Sequence, residues 1–268
     1  MVGVKNKYWV PALERAHKVL KLIAEYPGKL KLTDICRQLS ISKSTLFSLL
    51  NTMEQLHWIK KSESDTYSLG VHFGMMGHAF FSQFDLVDYF KQEAHGVRDR
   101  LNESVQLAVL EGDHIVYMAK MEAPTPVQMV SGPGVRFPAH ATGLGKVLLA
   151  ALSDERIDEL YPDEKLPSIT PYTLTTKTDL KKELDMIRQN GYAIDKEEGV
   201  VGFCCAAAAV KRSDGTVHAA VSVSMPAHHW DEKKDLAIQE IRRLANRLSF
   251  DQARRVSFEH QKGEPQWQ

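Results

Sequence analysis

The sequence predicts an α+β chain in two parts, a winged helix-turn-helix followed by a larger unit of mixed helices and strands. Three observations carry this expectation. Between Leu32 and Leu56, two short helices with apolar stripes flank a polar corner, and a strand–turn–strand follows directly. From Asp85 onward, apolar runs of strand length separated by Gly, Asp and Ser turns alternate with helix-period segments. Charge is also uneven: residues 1–70 hold 11 Lys and Arg against 6 Asp and Glu, although the whole chain is formally neutral. A basic head on an acidic body suits a protein of which one part meets a polyanion.

The 268 residues, 43% hydrophobic and 25% charged, suffice for two packed cores. The longest apolar run, Phe203 to Val210, is too short to span a bilayer. The N-terminus lacks the apolar core of a signal peptide, and three cysteines make no disulfide framework. A cytoplasmic location away from membranes is expected.

Pro11 opens a first helix, with Leu13, Ala16, Val19, Leu20 and Ile23 on one face and Tyr26-Pro27-Gly28 as its stop. Thr33 is expected to cap the next helix, with Asp34 in its first turn, and Ser42 to cap the one after. In that third helix Leu46, Leu49, Leu50 and Met53 form the buried face. Ser44, Phe47, Ser48 and Asn51 form the opposite stripe, with Lys43 and Thr45 at the start. Small polar groups and a lysine at a helix N-terminus suit a DNA major groove. The hairpin that follows places Lys60 and Lys61 where a wing would meet phosphate. The DNA module therefore spans about residues 8–69.

Residues 70–84 are expected to form a linker helix in which Phe73, Met76, Phe80 and Phe84 share a side suited to a partner subunit. His72 and His78 lack further ligands at useful spacing, so no metal site is expected. Residues 85–250 should form the second domain. It opens with a helix through Leu86, Phe90, Val97 and Leu101, then strands Val105–Leu110, Ile115–Ala119 and Pro126–Val130. A helix from about Ala141-Thr142 follows, then helices Asp154–Tyr161 and Thr178–Asn190, strands Val200–Val210 and Val217–Ser224, and a last helix Leu236–Leu248. Residues 251–268 read as a disordered tail.

The strongest chemical feature here is His140-Ala141-Thr142-Gly143-Leu144-Gly145-Lys146. Glycines at a helix start bare N–H groups that attract anions, though they equally serve close packing. It is not a P-loop, because Gly is absent at 140 and Val147 replaces the Mg²⁺-binding hydroxyl. Asp195 beside Lys196-Glu197-Glu198 reads as solvated surface. Of Cys204 and Cys205, one should look in and the other out along the strand, each serving as a buried small hydrophobe. Ser222 and Ser224 share a strand face and have no nucleophile elbow around them, which argues against a hydrolase. The competing readings are a small-molecule enzyme with a DNA-binding head and a thiol or metal sensor using Cys204, Cys205 and His140.

The order of these pieces resembles the IclR-type family of bacterial transcription regulators over about residues 8–250. The resemblance rests on LERAHKVLKLI with LTDICRQLSISKSTLFSLLNTMEQLHWI, on FPAHATGLGKVLLA, and on GYAIDKEEGVVGFCCAAAAV followed by DGTVHAAVSVSMPA. It implies a non-enzymatic one-component regulator without cofactor. Its C-terminal domain would be GAF-like, with a curved antiparallel sheet flanked by helices. Dimers, often paired as tetramers, would bind palindromic double-stranded operators as repressor or activator and sense a small carboxylate. Carried over by position, backbone groups at Gly143 and Leu144 would line the effector pocket. Asp195, Cys205, Ser222 and Ser224 would supply polar side chains, and Met129, Phe137 and Phe203 the apolar wall. Ser48 stands where the family often has Arg, so a bidentate guanine contact is lost there.

Overall fold

The computed structural model describes residues 9–81, 85–124 and 131–262. The chain divides into two units, Met1–Gln83 and Phe84–Gln268, each of which is described by itself.

In the first unit α1 spans Pro11–Glu25 and buries Ala16, Val19 and Ile23. A short strand, β1 (Leu30–Lys31), leads straight into α2 (Leu32–Leu39). Thr33 does not cap α2. The chain leaves β1 directly into the helix, so Lys31 holds the cap position and Asp34 reaches back to accept its backbone N–H at 3.0 Å. Ser40 takes a left-handed conformation at φ 53°, and Ser42 caps α3 (Lys43–Gln55) by accepting the Thr45 N–H at 3.3 Å. The wing is β2 (Ile59–Lys61) and β3 (Thr66–Leu69), with β3 central between β1 and β2. Leu46, Leu50 and Met53 of α3 close with Ile35, Val19, Ile23, Ile59 and Tyr67 into one core.

Helix α4 (Val71–Phe81) follows the wing. The Phe73 and His72 rings lie 6.1 Å from Trp58, so this end of the helix packs on its own wing, while Met76 stays 55% exposed. The Phe80 side chain and Phe84 lie outside the described residues. Gly70 is obligatory at this junction, because any Cβ would collide with the His57 carbonyl.

The second unit begins with α5 (Asp85–Leu101), then the hairpin β4 (Ser104–Glu111) and β5 (His114–Met121) turning at Gly112. The expected strand Pro126–Val130 lies outside the described residues. A short β6 (Arg136–Pro138) and a 3₁₀ turn at Ala139–Ala141 lead to α6 (Gly143–Ala150). Helices α7 (Asp154–Leu160) and α8 (Lys177–Asn190) follow, α8 ending at Gly191 with φ 75°. Then come β7 (Ala193–Lys196), β8 (Phe203–Lys211), β9 (Val217–Pro226) and α9 (Ala227–Lys262). Strand β8 starts later than expected because the chain turns through Gly202 at φ 86°. Helix α9 continues past Leu248, through residues read as tail, since no Gly or Pro interrupts it before Gly263.

The six strands form one antiparallel sheet in the order β6-β5-β4-β9-β8-β7. Helices α6 and α8 pack on one face with Ala108, Tyr117, Ala207 and Ala220. The alternate residues, among them Ala206, Val221 and Val223, face α9 on the other side. This two-sided cover buries both Cys204 and Cys205 as small hydrophobes on opposite faces of β8, as expected.

The glycines of α6 set how closely it meets its neighbours. A Cβ at Gly145 would run into the Ala139 backbone, and one at Gly143 would lie 2.9 Å from Cys205 Sγ. Gly145→Ala is therefore expected to destabilise the protein by about 3 kcal/mol through overpacking. Gly74→Ala, open on all sides within a helix, should be neutral or stabilising by about 1 kcal/mol. Urea unfolding of the two variants checks this.

Candidate functional site

The first unit presents a bare helix face. Lys43, Ser44, Ser48 and Asn51 are exposed, and Phe47 among them is 63% exposed. The opposite face of α3 is fixed in the core, so these side chains point outward together. The Ser42 hydroxyl bonds both Thr45 Oγ1 and the Thr45 N–H, which commits these two residues to shaping the helix start. Thr33 is exposed in the first turn of α2. On the wing, Lys60 is exposed, and Lys61 meets Asp65 at 2.6 Å. The exposed Lys61–Asp65 pair is weak and yields readily to a phosphate competitor.

The second unit holds a narrow cavity of about 20 Å³ beneath the start of α6, lined by Phe137, Thr142, Leu144, Asp195, Phe203, Cys205, Ser222 and Ser224, with Tyr117 at one side. Strand register assembles it: Asp195 pairs with Cys205, Cys205 with Ser224, and Ala207 with Ser222, so their side chains share one face. Gly143 lies behind this lining as a packing contact, its N–H directed at Cys205 Sγ. Met129 lies outside the described residues.

Asp195 is buried, which overturns the surface reading of its neighbourhood. Its Oδ1 accepts the Glu198 N–H at 2.8 Å. Burial, reinforced by the Glu198 carboxylate, pushes its pKa up to about 7, against the pull of Lys146. Burial also pushes the Cys204 thiol up to about 11 and the Cys205 thiol well above its ordinary value, so neither holds the thiolate that a redox sensor needs. The His140 Nε2 is 2.9 Å from the Pro167 carbonyl, and burial lowers the ring's pKa.

Lys146 was legible only as part of a glycine-rich helix start. It is 1% exposed, and its Nζ donates to the Ile194 carbonyl at 2.8 Å, Glu198 at 2.7 Å and Glu183 at 3.3 Å. Burial works against its charge, but the Glu198 and Glu183 carboxylates prevail and its pKa is raised. It ties α6 to β7 and to the turn that carries Asp195. Gln106 and Tyr117 were also passed over. Gln106 could have been noticed as a lone amide in the apolar strand Val105–Leu110.

A winged helix with an outward polar face, joined to a sheet unit holding a small mixed cavity, defines a DNA-binding regulator that carries its own sensory domain. Residues 12–63 match the IclR helix-turn-helix domain, and residues 78–250 match the bacterial transcriptional regulator IclR C-terminal domain. The chain belongs to the IclR family and is a DNA-binding transcriptional regulator rather than an enzyme. The HTH-type transcriptional regulator XynR of Escherichia coli is 34% identical over 224 residues, 83% of this chain and 89% of that one. The crystal structure of Thermotoga maritima IclR superposes with a TM-score of 0.77 at 26% identity, covering 91% of this chain and 99% of that one. An IclR homologue from Microbacterium hydrocarbonoxydans, complexed with 4-hydroxybenzoate, shares the fold with a TM-score of 0.76 at 22% identity, over 90% of this chain and 98% of that one.

Removing the Lys146 ammonium leaves the Glu198 carboxylate buried and unpaired. Lys146→Met should cost about 3–5 kcal/mol in chemical unfolding, and Lys146→Met with Glu198→Gln should recover part of that loss.

Proposed function

We propose that the chain is a one-component regulator, working in the cytoplasm, whose operator binding is modulated by a small carboxylate in the C-terminal cavity. The observation that carries this reading is the cavity itself, where the first turn of α6 meets Asp195, Ser222 and Ser224 on one side and Phe137 and Phe203 on the other. It acts as a homodimer or a dimer of dimers on an imperfect palindrome, since two copies of one reading helix call for two half-sites. In this reading Lys43, Lys60 and Lys61 contact phosphate, while Ser44, Ser48 and Asn51 meet base edges. Phe47 offers an apolar contact to a thymine methyl. Thr33, Ser42 and Thr45 position the two helices at the groove.

The acid's anionic end sits at the α6 N-terminus, where the Leu144 N–H precedes the helix's own hydrogen-bond ladder and Gly143 lets the backbone approach. Asp195 and the serines then meet a donor on the effector, which favours a hydroxy acid over a plain fatty acid. The 4-hydroxybenzoate held by the Microbacterium homologue is an acid of that kind.

Fluorescence anisotropy with operator DNA tests the first half. Lys43→Ala and Lys60→Ala should each weaken binding to every sequence and lower the salt slope by about 1. Lys61→Ala should do so as well, because its exposed pair with Asp65 yields to phosphate. Substitutions at Ser44 or Ser48 should change base preference instead. Lysine variants that bind as wild type at all salt concentrations would overturn this docking.

Calorimetry with candidate acids, with and without operator, tests the second half. The effector should shift operator affinity by about 1–3 kcal/mol, and operator should shift effector affinity by the same factor. Because Asp195 ionises near pH 7, acid binding should weaken as pH rises through that value and two anions come to share one site. Asp195→Asn should flatten the profile. A wild-type affinity independent of pH from 6 to 8 would remove Asp195 from the site.

A further inference from the structure

One polar side chain hydrogen-bonded to the cavity serines is only half satisfied among the described residues. Gln106 on β4 lies opposite Ser222 in the sheet register, on the face that carries the serines. It is fully buried. Its Oε1 accepts the Ser222 hydroxyl at 3.0 Å and the Ser224 hydroxyl at 3.2 Å, which uses both lone pairs of the amide oxygen. Among the described residues, its Nε2 is buried with no hydrogen-bond partner. A buried amide left without an acceptor is costly, and such groups are rare unless a ligand completes them.

We infer that Gln106 is a specificity-determining residue of the effector site, its Nε2 donating to a second oxygen of the effector. This inference rests on the acid-sensing reading above. The two serines spend their protons on Gln106, so toward a ligand they present lone pairs. They accept from an effector hydroxyl and cannot donate to a carboxylate or a carbonyl. Gln106 then offers a side-chain donor behind the serines, and the N-terminus of α6 a backbone donor. An effector that satisfies both carries its carboxylate and, a few bonds away, another acceptor oxygen. A simple alkanoic acid leaves Nε2 unpaired. A site built around a buried donor rejects the analogue lacking the acceptor more strongly than an apolar pocket rejects a missing methylene.

The test uses the full chain and matched pairs of acids that differ by one oxygen function: pyruvate against propionate, 2-oxobutyrate against butyrate, and 4-hydroxybenzoate against benzoate. Calorimetry gives the ratio of affinities within each pair, and ¹⁵N spectra follow the side-chain amide resonance that disappears in Gln106→Met. Wild type should prefer the oxygenated member of at least one pair by tenfold or more, with that acid alone shifting the Gln106 amide. Gln106→Met, similar in length and uncharged, should lose the preference while binding the plain acid as wild type does. Gln106→Asn, which keeps the amide on a shorter arm, should retain part of it. If the preference survives in Gln106→Met, or the amide resonance does not move when the preferred acid binds, the role of Gln106 falls and acid sensing stands. If no acid of the panel binds wild type, acid sensing by this cavity falls and the Gln106 role falls with it.

Discussion

The effector unit depends on one buried cation. Lys146 stands in the second turn of α6, and its ammonium is shared among the Ile194 carbonyl, Glu198 and Glu183. A lysine so deeply buried would ordinarily give up its proton, and here the two carboxylates hold it charged. The geometry that results is specific. Helix α6 is clamped to β7, the Asp195–Glu198 turn is fixed at its foot, and the cavity is the space between them. Thr173 adds to the clamp by donating to the Glu198 carbonyl at 2.7 Å, and Thr170 by donating to the Glu197 carbonyl at 2.7 Å. A buried ion pair of this kind adds little net stability over an apolar pair of the same size. Its contribution is to admit one placement of α6 on the sheet.

That placement explains why the glycines stand where they do. In the sequence, Gly143 and Gly145 could equally have been an anion cradle or a packing requirement. The structure assigns Gly145 to packing against Ala139, and Gly143 to close contact with Cys205. The two roles are not exclusive for Gly143, because the close approach is also what brings the first turn of α6 to the cavity.

The winged unit was legible almost element by element. Local signals decide it: Pro11 at a helix start, Ser42 at a cap, and a four-residue polar turn between β2 and β3. The Thr33 cap failed because a two-residue strand, β1, forms only through its long-range pairing with β3, which no local pattern announces. In the second unit the central strands were visible as apolar runs, but β6 and β7 were not. Each is short and exists only by pairing along a longer strand, β6 with β5 and β7 with β8. Asp195 was misjudged from its residues alone for the same reason. An acidic run looks solvated until the partner strand and the lysine that cover it are known. Its place in the pocket was reached through family resemblance. Lys146 and Gln106 carried only faint sequence signals, a glycine-rich helix start and a lone amide in an apolar strand, since a buried polar side chain differs from an exposed one mainly in what lies across from it.

The polar groups of the effector unit are therefore unequal in how they are satisfied, and this bears on how a ligand would act. Asp195, Lys146 and the threonines form a network closed on itself, except for Glu198 Oε2. Ser222, Ser224 and Gln106 form a second network that is open at Nε2. The first holds the walls and presents Asp195 to the cavity, and the second presents Ser222 and Ser224. An open buried network is a local instability that only an added acceptor removes, so any molecule that closes it stabilises this arrangement of β4 and β9 relative to others. Differential stabilisation of one arrangement is the physical requirement for a ligand to shift an equilibrium at all. Tight binding by itself shifts nothing when two states are bound equally. An apolar acid could fill the cavity between Phe137 and Phe203 and still leave the open network as it was. In that event it would occupy the site without acting as an effector, and hydrogen bonding at this wall, rather than occupancy, would distinguish ligands that signal from ligands that only bind.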